Sequence, residues 1–191
     1  MSEPGSHGGV RAVAEELSAW MVAYQAGEIA AFERLYERLA PKIRKYLISL
    51  TLNVPRAEDL LQETFLQIHR SRRTYHPPRP VAPWAFGVAR HVYLMDCRAW
   101  ARRRRLEAEP GEDLPDLPVP AVGEGVADRD WVRKAVGGLP EDRREPLLLH
   151  HVWGFSFKEI AGILGIREGA AKVRAHRARK QLQDLLEEED S

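Results

Sequence analysis

Arginines and aromatic residues are interleaved between residues 69 and 105. This segment contains ten arginines, no lysine and one acidic residue, Asp96, so its formal charge is +9. Arginine attracts the phosphate backbone and an exposed aromatic ring can stack on an unpaired base, so the combination is typical of proteins that hold single-stranded nucleic acid. The interleaved aromatic residues are Tyr75, Trp84, Phe86, Tyr93 and Trp100.

Helical spacing separates the residues of this segment into two faces. One set recurs at steps of three and four, which predicts the buried face of a helix and favours a core position for Trp84. That set comprises Trp84, Val88, Val92, Met95 and Ala99. The other face is the better candidate for contacts with bases, and the arginine run at residues 102–105 for contacts with phosphates. That other face carries Phe86, Arg90, Tyr93, Cys97 and Trp100.

A second basic segment, residues 167–180, has a formal charge of +5. Before it, Ser156 and Glu159 have the spacing of a capping box, in which each side chain accepts from the other residue's backbone N–H. Gly165 lies where a tight turn between two helices is needed. These features predict a helix-turn-helix, although an α-helical hairpin with a basic surface would share them. The small inner face of its second helix is predicted to comprise Ala171, Ala175, Ala178 and Leu182.

The geometry of a helix-turn-helix assigns roles to the outer residues. The first turns of the second helix enter the major groove of DNA. Arg174 is long enough for a bidentate contact with guanine, and Ala170 and Val173 can pack on thymine methyl groups. The other basic residues of this helix are expected to contact phosphates, which fix register without reading sequence. They are Lys172, Arg177, Arg179 and Lys180.

The apolar pattern is helical along the rest of the chain. Between residues 32 and 50 it predicts one long helix or two stacked helices, kinked or divided at Pro41, and a weaker helix is predicted around residues 13–24. A further helix combines an apolar inner face with an acidic and amide outer face. No stretch alternates with a period of two, so the predicted fold class is all-α. The acidic and amide face comprises Glu58, Asp59, Gln62 and Glu63.

Residues 106–127 are predicted to be a linker. They contain four prolines, three glycines and many acidic residues, which is too little apolar surface to offset the entropy of ordering them. The sequence therefore predicts two small helical domains joined by a flexible acidic linker, the second containing the helix-turn-helix. Residues 1–27 form an N-terminal tail and weak helix, residues 28–105 the first domain and residues 128–191 the second.

Composition disfavours several classes of function. No nucleophile–base pair, phosphate-binding loop, convergent carboxylates or cluster of metal ligands is visible, so we expect no catalytic residues, no metal and no cofactor. The one cysteine, Cys97, fits a reducing cytoplasm, and a lone helical cysteine is more often inert than a redox sensor. No apolar run reaches the roughly 20 residues of a membrane span, and the N-terminus lacks a signal-peptide pattern. We therefore expect a cytoplasmic protein without direct membrane insertion.

These motifs resemble the sigma-70 family of bacterial RNA polymerase sigma factors, of the extracytoplasmic-function (ECF) type. The resemblance covers residues 28–105 and 128–185 in the family's order and spacing. In the first domain it rests on AEDLLQETFL at residues 57–66 and on WAFGVAR at residues 84–90, followed by Asp96, Arg98 and the arginine run. In the second domain it rests on Leu139-Pro140, on GFSFKEIA at residues 154–161 and on residues 169–179.

The resemblance implies that the first domain (region 2) binds core RNA polymerase and opens the promoter at its −10 element. The outer face with Glu58, Asp59, Gln62 and Glu63 matches the part that docks on the clamp helices of the largest polymerase subunit, and its acidic and amide groups suit a basic partner. Residues 75–98 match the part of such factors that captures a flipped base of the non-template strand. The candidate −10 contacts are Tyr75, Trp84, Arg90, His91, Tyr93, Arg98 and Arg102.

The resemblance also implies that the second domain (region 4) reads the −35 element as duplex and sits on the polymerase flap. The linker of such factors threads a basic polymerase channel, where an acidic chain could imitate nucleic acid. An anti-sigma protein usually clamps the two domains of these factors, and we expect one here. The candidate −35 contacts are Arg167, Ala170, Lys172, Val173, Arg174, Arg177 and Arg179.

The chain departs from the family pattern at three of these positions. His91 replaces a common Asn, and Ala170 and Val173 replace the usual Thr and Ser, so base preference is not carried over there. An ordinary helix-turn-helix repressor or activator, and an enzyme, stay open as other interpretations. A repressor would neither bind core polymerase nor start transcripts, and no segment is left over for dimerisation or effector sensing.

Overall fold

The computed structural model describes residues 6–107 and 136–189. Every regular element in these two ranges is helical, which confirms the all-α fold class. Contacts divide the chain into two compact units, residues 1–47 with 55–99 and residues 48–54 with 100–191. The predicted linker lies outside the described residues from residue 108 onward, and its flexibility stays a prediction.

Four α-helices make up the N-terminal half. They are α1 (Ser6–Gln25), α2 (Ile29–Thr51), α3 (Val54–Ser71) and α4 (Val81–Glu107), and a short 3-10 helix (Arg72–Thr74) follows α3. Helix α1 is longer than the weak helix predicted for residues 13–24.

Helix α2 runs without interruption through Pro41, which confirms the alternative of one long helix and excludes a division into two helices at this residue. A proline inside a helix removes one backbone hydrogen bond. Burial of Leu39, Ala40 and Ile43 around it offsets that loss, because a continuous helix keeps all three side chains in the core.

The core of the N-terminal unit is formed by the apolar faces of α2 and α3. Tyr46 and Leu47 are almost fully buried on α2, and Leu61, Phe65 and Ile68 are buried on α3, as predicted. The Phe65 ring contacts Tyr36 of α2 with 4.5 Å between ring centroids. These contacts fix which side of α3 faces solvent.

Helix α4 buries a face that shares only Val92 with the predicted one. Its core residues are Val81, Ala85, Phe86, Ala89, Val92 and Tyr93, whereas Met95 is 46% exposed and Trp84 is half-buried. The helix has large apolar residues on both sides, so their spacing alone does not choose a face. Ala85 and Ala89 allow close approach, and Phe86 packs on Tyr46 with 5.0 Å between ring centroids. The expectation that Phe86 and Tyr93 form an outer face is therefore wrong.

The C-terminal unit contains the predicted helix-turn-helix. Helix α5 (Glu141–His151), which the sequence analysis did not assign, precedes α6 (Phe157–Leu164) and α7 (Glu168–Glu189). Helix α7 packs against both α5 and α6. Its inner face is the predicted one: Ala171, Ala175 and Ala178 are buried, and Leu182 packs on Leu139, Leu147 and Ala178.

Helix α6 begins and ends with the predicted signals. The Ser156 hydroxyl accepts from the Glu159 backbone N–H, and the Glu159 carboxylate accepts from the Ser156 backbone N–H at 2.8 Å. Gly165 ends the helix with φ 66° and ψ 34°, the left-handed conformation that glycine adopts without strain. The turn between α6 and α7 is thus fixed by local chemistry.

Replacing Ser156 with alanine should destabilise the C-terminal unit by about 1 kcal/mol, because the Glu159 backbone N–H loses its acceptor and the Glu159 carboxylate loses the hydroxyl that donates to it at 2.7 Å. Urea unfolding and amide hydrogen exchange of α6 would measure this loss. Lys158→Ala, at an exposed position of the same helix, is the matched control and should change stability by much less. Equal effects of the two substitutions would contradict the role of the cap.

Candidate polymerase and nucleic-acid interfaces

Helix α3 presents the predicted acidic and amide face. Asp59, Gln62 and Glu63 are exposed, whereas Glu58 is half-buried and pairs with Arg44 of α2. Glu58 is thus partly committed to a contact between α2 and α3. Glu63 lies 3.5 Å from Arg70 of its own helix, at a more exposed position.

An exposed leucine lies within this acidic face. Leu66 is 43% exposed and follows Asp59, Gln62 and Glu63 by seven, four and three residues, so all four share one side of α3. Sequence reasoning missed it because it adjoins the apolar stretch of the helix. Its exposure among polar residues gives the face an apolar centre, which is a common arrangement in protein interfaces.

The outer face of α4 carries four of the predicted −10 residues. Trp84, His91, Arg98 and Arg102 follow one another at helical steps of seven, seven and four; Trp84 is half-buried and the other three are exposed. Met95 lies on the same face and accepts a contact from Arg98 Nη1 at 3.7 Å. A basic face with an indole and a thioether combines charge for phosphates with apolar surface for bases.

Two other predicted −10 contacts lie in the core, which corrects the expectation for them. Tyr75 and Tyr93 are only 1% and 5% exposed, so neither ring has a free face for a base. The Tyr75 ring packs edge-on against Trp84 at 5.7 Å, and its hydroxyl donates to the Arg79 carbonyl at 2.7 Å. Arg90 is half-buried.

The one acidic residue of the basic segment is neutralised inside the N-terminal unit. Arg56 at the start of α3 pairs with Asp96 of α4 at 2.6 Å. Burial lowers the pKa of Arg56, but the hydrogen bond to Asp96 and the charges of Asp96, Cys97 and Tyr93 together raise the pKa above its usual value. The Arg56 Nη2 atom also lies 3.7 Å from the Cys97 sulfur. Asp96 therefore does not offset the exposed arginines of α4.

Helix α1 holds the segment that connects α3 to α4. Gln25 donates from Nε2 to the carbonyls of Arg72 and Tyr75 at 2.7 and 2.8 Å. The Tyr24 hydroxyl bonds His69 Nδ1, and the Arg72 guanidinium lies 5.6 Å from the centre of the Tyr24 ring. Burial raises the pKa of Tyr24, and the charge of Arg72 acts in the opposite direction. Sequence reasoning offered no signal for these long-range contacts.

Helix α7 exposes most of the predicted −35 residues. Arg167, Lys172, Val173, Arg177 and Arg179 are exposed, and Ala170 and Arg174 are half-buried. Val173 is an apolar residue at 49% exposure among cations. Arg174 lies at the side of the helix, where its Nε is 3.8 Å from the Asp142 carboxylate of α5. Such a long, partly exposed ion pair is weak, so Arg174 can exchange Asp142 for another acceptor.

Comparison with known sequences agrees with this arrangement. Residues 35–108 match the Sigma-70 region 2 family and residues 129–182 match the Sigma-70 region 4 family. The RNA polymerase sigma factor CarQ of Myxococcus xanthus is 36% identical over 88% of this chain and 96% of its own length. The ECF RNA polymerase sigma factor SigF of Caulobacter vibrioides is 34% identical over 91% and 96%.

Solved structures show the same fold. The sigma factor RpoE of Bartonella quintana, in complex with the anti-sigma factor NepR, gives a TM-score of 0.66 at 28% identity, covering 82% of this chain and 96% of that one. CnrH, in complex with the cytosolic domain of CnrY, gives 0.67 at 23% identity, covering 90% and 97%.

The chain belongs to the sigma-70 family of RNA polymerase sigma factors, in its ECF group. It is a factor that binds core RNA polymerase and promoter DNA and directs the start of transcription. The family is one of transcription regulators and not of enzymes. Within residues 6–107 and 136–189, no helix is long and apolar enough to cross a bilayer, and no three potential metal ligands come together.

Replacing Gln25 with alanine should destabilise the N-terminal unit by about 1–3 kcal/mol, because two backbone carbonyls lose their donor. It should also speed amide exchange in residues 72–80, which urea unfolding and hydrogen exchange would detect. Glu16→Ala, at an exposed position of the same helix, should leave both unchanged. Unaltered exchange in the Gln25 variant would show that α1 does not hold this segment.

Proposed function

We propose a division of work between the two units of this sigma factor. The exposed face of α3 docks on the clamp helices of core polymerase, and the outer face of α4 contacts the opened −10 element. The helix-turn-helix reads the −35 element as duplex and lies on the polymerase flap. The observation that carries the proposal is that this chain, a member of the family, presents three separate charged surfaces. They are an acidic face on α3, a basic face on α4 and a basic second helix of the helix-turn-helix, α7.

Docking on polymerase rests on both the charge and the shape of the α3 face. Asp59 and Glu63 attract a basic partner and orient its approach. Leu66 supplies apolar area that loses water when the partner is in place, which stabilises the complex after encounter. The charges thus favour association with polymerase, and Leu66 slows dissociation of the complex.

Contact with the opened −10 element is assigned to Trp84, His91, Arg98 and Arg102, with Met95 added. The arginines follow the phosphate backbone, and the partly exposed Trp84 ring offers a face to an unstacked base. Tyr75 supports this surface from the core, because it packs on Trp84 and bonds the Arg79 carbonyl.

Recognition of the −35 element is assigned to α7. Lys172, Arg177 and Arg179 contact phosphates, and Val173 meets a thymine methyl group or another apolar base edge. Ala170 and Arg167 lie at the front of the helix, which enters the groove first. Arg174 releases Asp142 to contact a guanine.

We also propose that an anti-sigma protein holds this factor inactive by covering these surfaces. The RpoE relative, with 28% identity to this chain, was solved in complex with the anti-sigma factor NepR. The factor would then act in the cytoplasm, at the nucleoid when free and beside the membrane if its inhibitor is anchored there. We propose no catalytic step, since binding surfaces alone account for the function.

Reversing the charge of the α3 face should weaken binding to core polymerase about tenfold or more. The variant is Asp59→Lys with Glu63→Lys, and core affinity and run-off transcription are the measurements. Glu33→Lys with Glu37→Lys, on exposed positions of α2, makes the same charge change at the same spacing and should bind normally. Duplex DNA binding by both variants should persist.

Unchanged core binding in the Asp59 and Glu63 variant would refute this docking face. The sigma function itself would fail if the wild-type chain, freed of any inhibitor, neither bound core polymerase nor started transcripts.

Replacing Arg174 with alanine should relax sequence preference at one position of the −35 element. The expected loss is about 1–3 kcal/mol on the preferred sequence and little on others, because a base contact disappears. Selection of bound duplexes from a randomised library by the holoenzyme would measure it. Lys172→Ala is the comparison and should weaken binding to all sequences alike. A uniform loss for Arg174→Ala would reassign this residue to a phosphate.

A further inference from the structure

The loop of residues 75–80, which connects the 3-10 helix to α4, is stiff and exposed on its outer side. Residues 76–80 are all exposed and lie outside the helices. Three of them, Pro77, Pro78 and Pro80, have fixed φ angles and no backbone N–H. The loop therefore has few backbone donors and few soft dihedral angles, and its orientation depends on the contacts at its ends. We call it the proline loop.

Gln25 of α1 holds the first end of the proline loop. Its side-chain Nε2 donates to the carbonyls of Arg72 and Tyr75 at 2.7 and 2.8 Å. Both hydrogens of the amide are used, so Gln25 fixes the positions of these two carbonyls relative to each other. The Arg72 carbonyl also accepts from the Tyr75 N–H at 3.3 Å, which closes the turn before the loop. Gln25 is half-buried, where water competes less for these hydrogen bonds.

Tyr75 links the position of this turn to the rest of the loop and to Trp84. The Tyr75 hydroxyl donates to the Arg79 carbonyl at 2.7 Å and lies 3.3 Å from Ser18 Oγ of α1. The Tyr75 ring packs edge-on against the Trp84 ring with 5.7 Å between centroids. Because Tyr75 is only 1% exposed, its side chain has little room to move independently. A shift of the Tyr75 backbone therefore moves the far side of the proline loop relative to the Trp84 ring.

We propose that Gln25 is a positioning residue for the −10 element, and that its two hydrogen bonds determine which unpaired base the N-terminal unit accepts best. The inference rests on the proposed contact of Trp84 with an unstacked base of the opened strand. The proline loop and Trp84 both contact Tyr75, so the loop lies beside the indole on which that base stacks. Hydrogen bonds weaken steeply with distance and angle, and a displacement of about 1 Å is enough to lose a well-placed contact.

The proline loop supplies polar groups that can distinguish one base from another. Its backbone carbonyls can accept from the exocyclic amino groups of adenine, guanine and cytosine, and the exposed Arg79 side chain can donate to base oxygens and ring nitrogens. The amide hydrogens of Gln25 are both bound to carbonyls of the chain. Gln25 thus acts on base selection through the loop and not by contact with the base.

The test compares the base preferences of holoenzymes assembled from core polymerase and the full chain. Run-off transcription from a barcoded library of promoters with randomised −10 and −35 elements gives the preference at each position. Gln25→Met keeps the length of the side chain and removes both donors without adding charge. The best −10 base should then be favoured about three- to tenfold less than by the wild type, as expected for the loss of one or two hydrogen bonds. Preference in the −35 element should not change.

Gln25→Lys is the rescue variant, because its ammonium group has a similar reach and can donate to both carbonyls. It should restore most of the lost preference. Gln25→Met with Ala26→Lys controls for the added charge: residue 26 is exposed, so the double variant carries the charge without a donor at residue 25 and should not recover. Tyr75→Phe removes the bond to the Arg79 carbonyl, keeps the ring against Trp84 and should reduce the same preference.

Base preference is a ratio between templates in one reaction, so a smaller folded fraction of a variant does not alter it. An unchanged −10 preference in Gln25→Met would overturn the proposal. Equal losses of preference in both promoter elements would also overturn it, because they would indicate general destabilisation. Recovery by Ala26→Lys as strong as by Gln25→Lys would assign the effect to charge. A wild-type holoenzyme that started no transcripts, or started them without any −10 preference, would instead remove the proposed function.

Discussion

The contact between Tyr46 on α2 and Phe86 on α4 determines which side of α4 is exposed. Both rings are buried, and their packing fixes the rotation of α4 about its own axis. Once Phe86 points inward, Tyr93, seven residues later, must also point inward, and His91 must point away from the core. Trp84 lies at the edge of the core, against Tyr75. Rotating α4 to expose Phe86 would remove apolar area from the core and cost several kcal/mol. The exposed basic face is therefore a consequence of core packing.

The same constraint operates in the C-terminal unit with small residues in place of aromatic ones. Ala171, Ala175 and Ala178 are buried at helical spacing on α7, so that helix can lie close to both α5 and α6. A long side chain at any of these positions would overpack the interface. Because alanines occupy the inner face, the cations of α7 are left on its outer faces.

Local signals made the helix-turn-helix predictable, and long-range contacts made other features unpredictable. The cap at Ser156 and the left-handed Gly165 are set by neighbouring residues, and both were found where the sequence placed them. The buried face of α4 depends on Tyr46, forty residues earlier, and the anchoring by Gln25 depends on carbonyls 47 and 50 residues away. The spacing of apolar residues within one helix cannot predict these contacts with distant residues.

Helix α5 shows that hydropathy alone does not predict every buried position. Its sequence, EDRREPLLLHH, has charged residues where a core face would be sought, yet Arg144 and Glu145 are only 7% and 4% exposed. Arg144 Nη1 donates to the Gly137 carbonyl at 3.3 Å, which partly compensates its burial. Charged residues that are stabilised by hydrogen bonds can thus occupy a core position that a hydropathy pattern assigns to solvent.

Because of ion pairs between helices, the charge of an exposed face differs from the total charge of the segment that forms it. Asp96 is the one acidic residue between residues 69 and 105, and its pairing with Arg56 leaves the exposed face of α4 more basic than the segment total suggests. Glu58 similarly pairs with Arg44 of α2, whereas Asp59 and Gln62 stay exposed on the acidic face of α3. In each case the pair forms between helices of one unit, so folding sorts charges of opposite sign to different surfaces. One small unit can therefore present a basic face on α4 and an acidic face on α3.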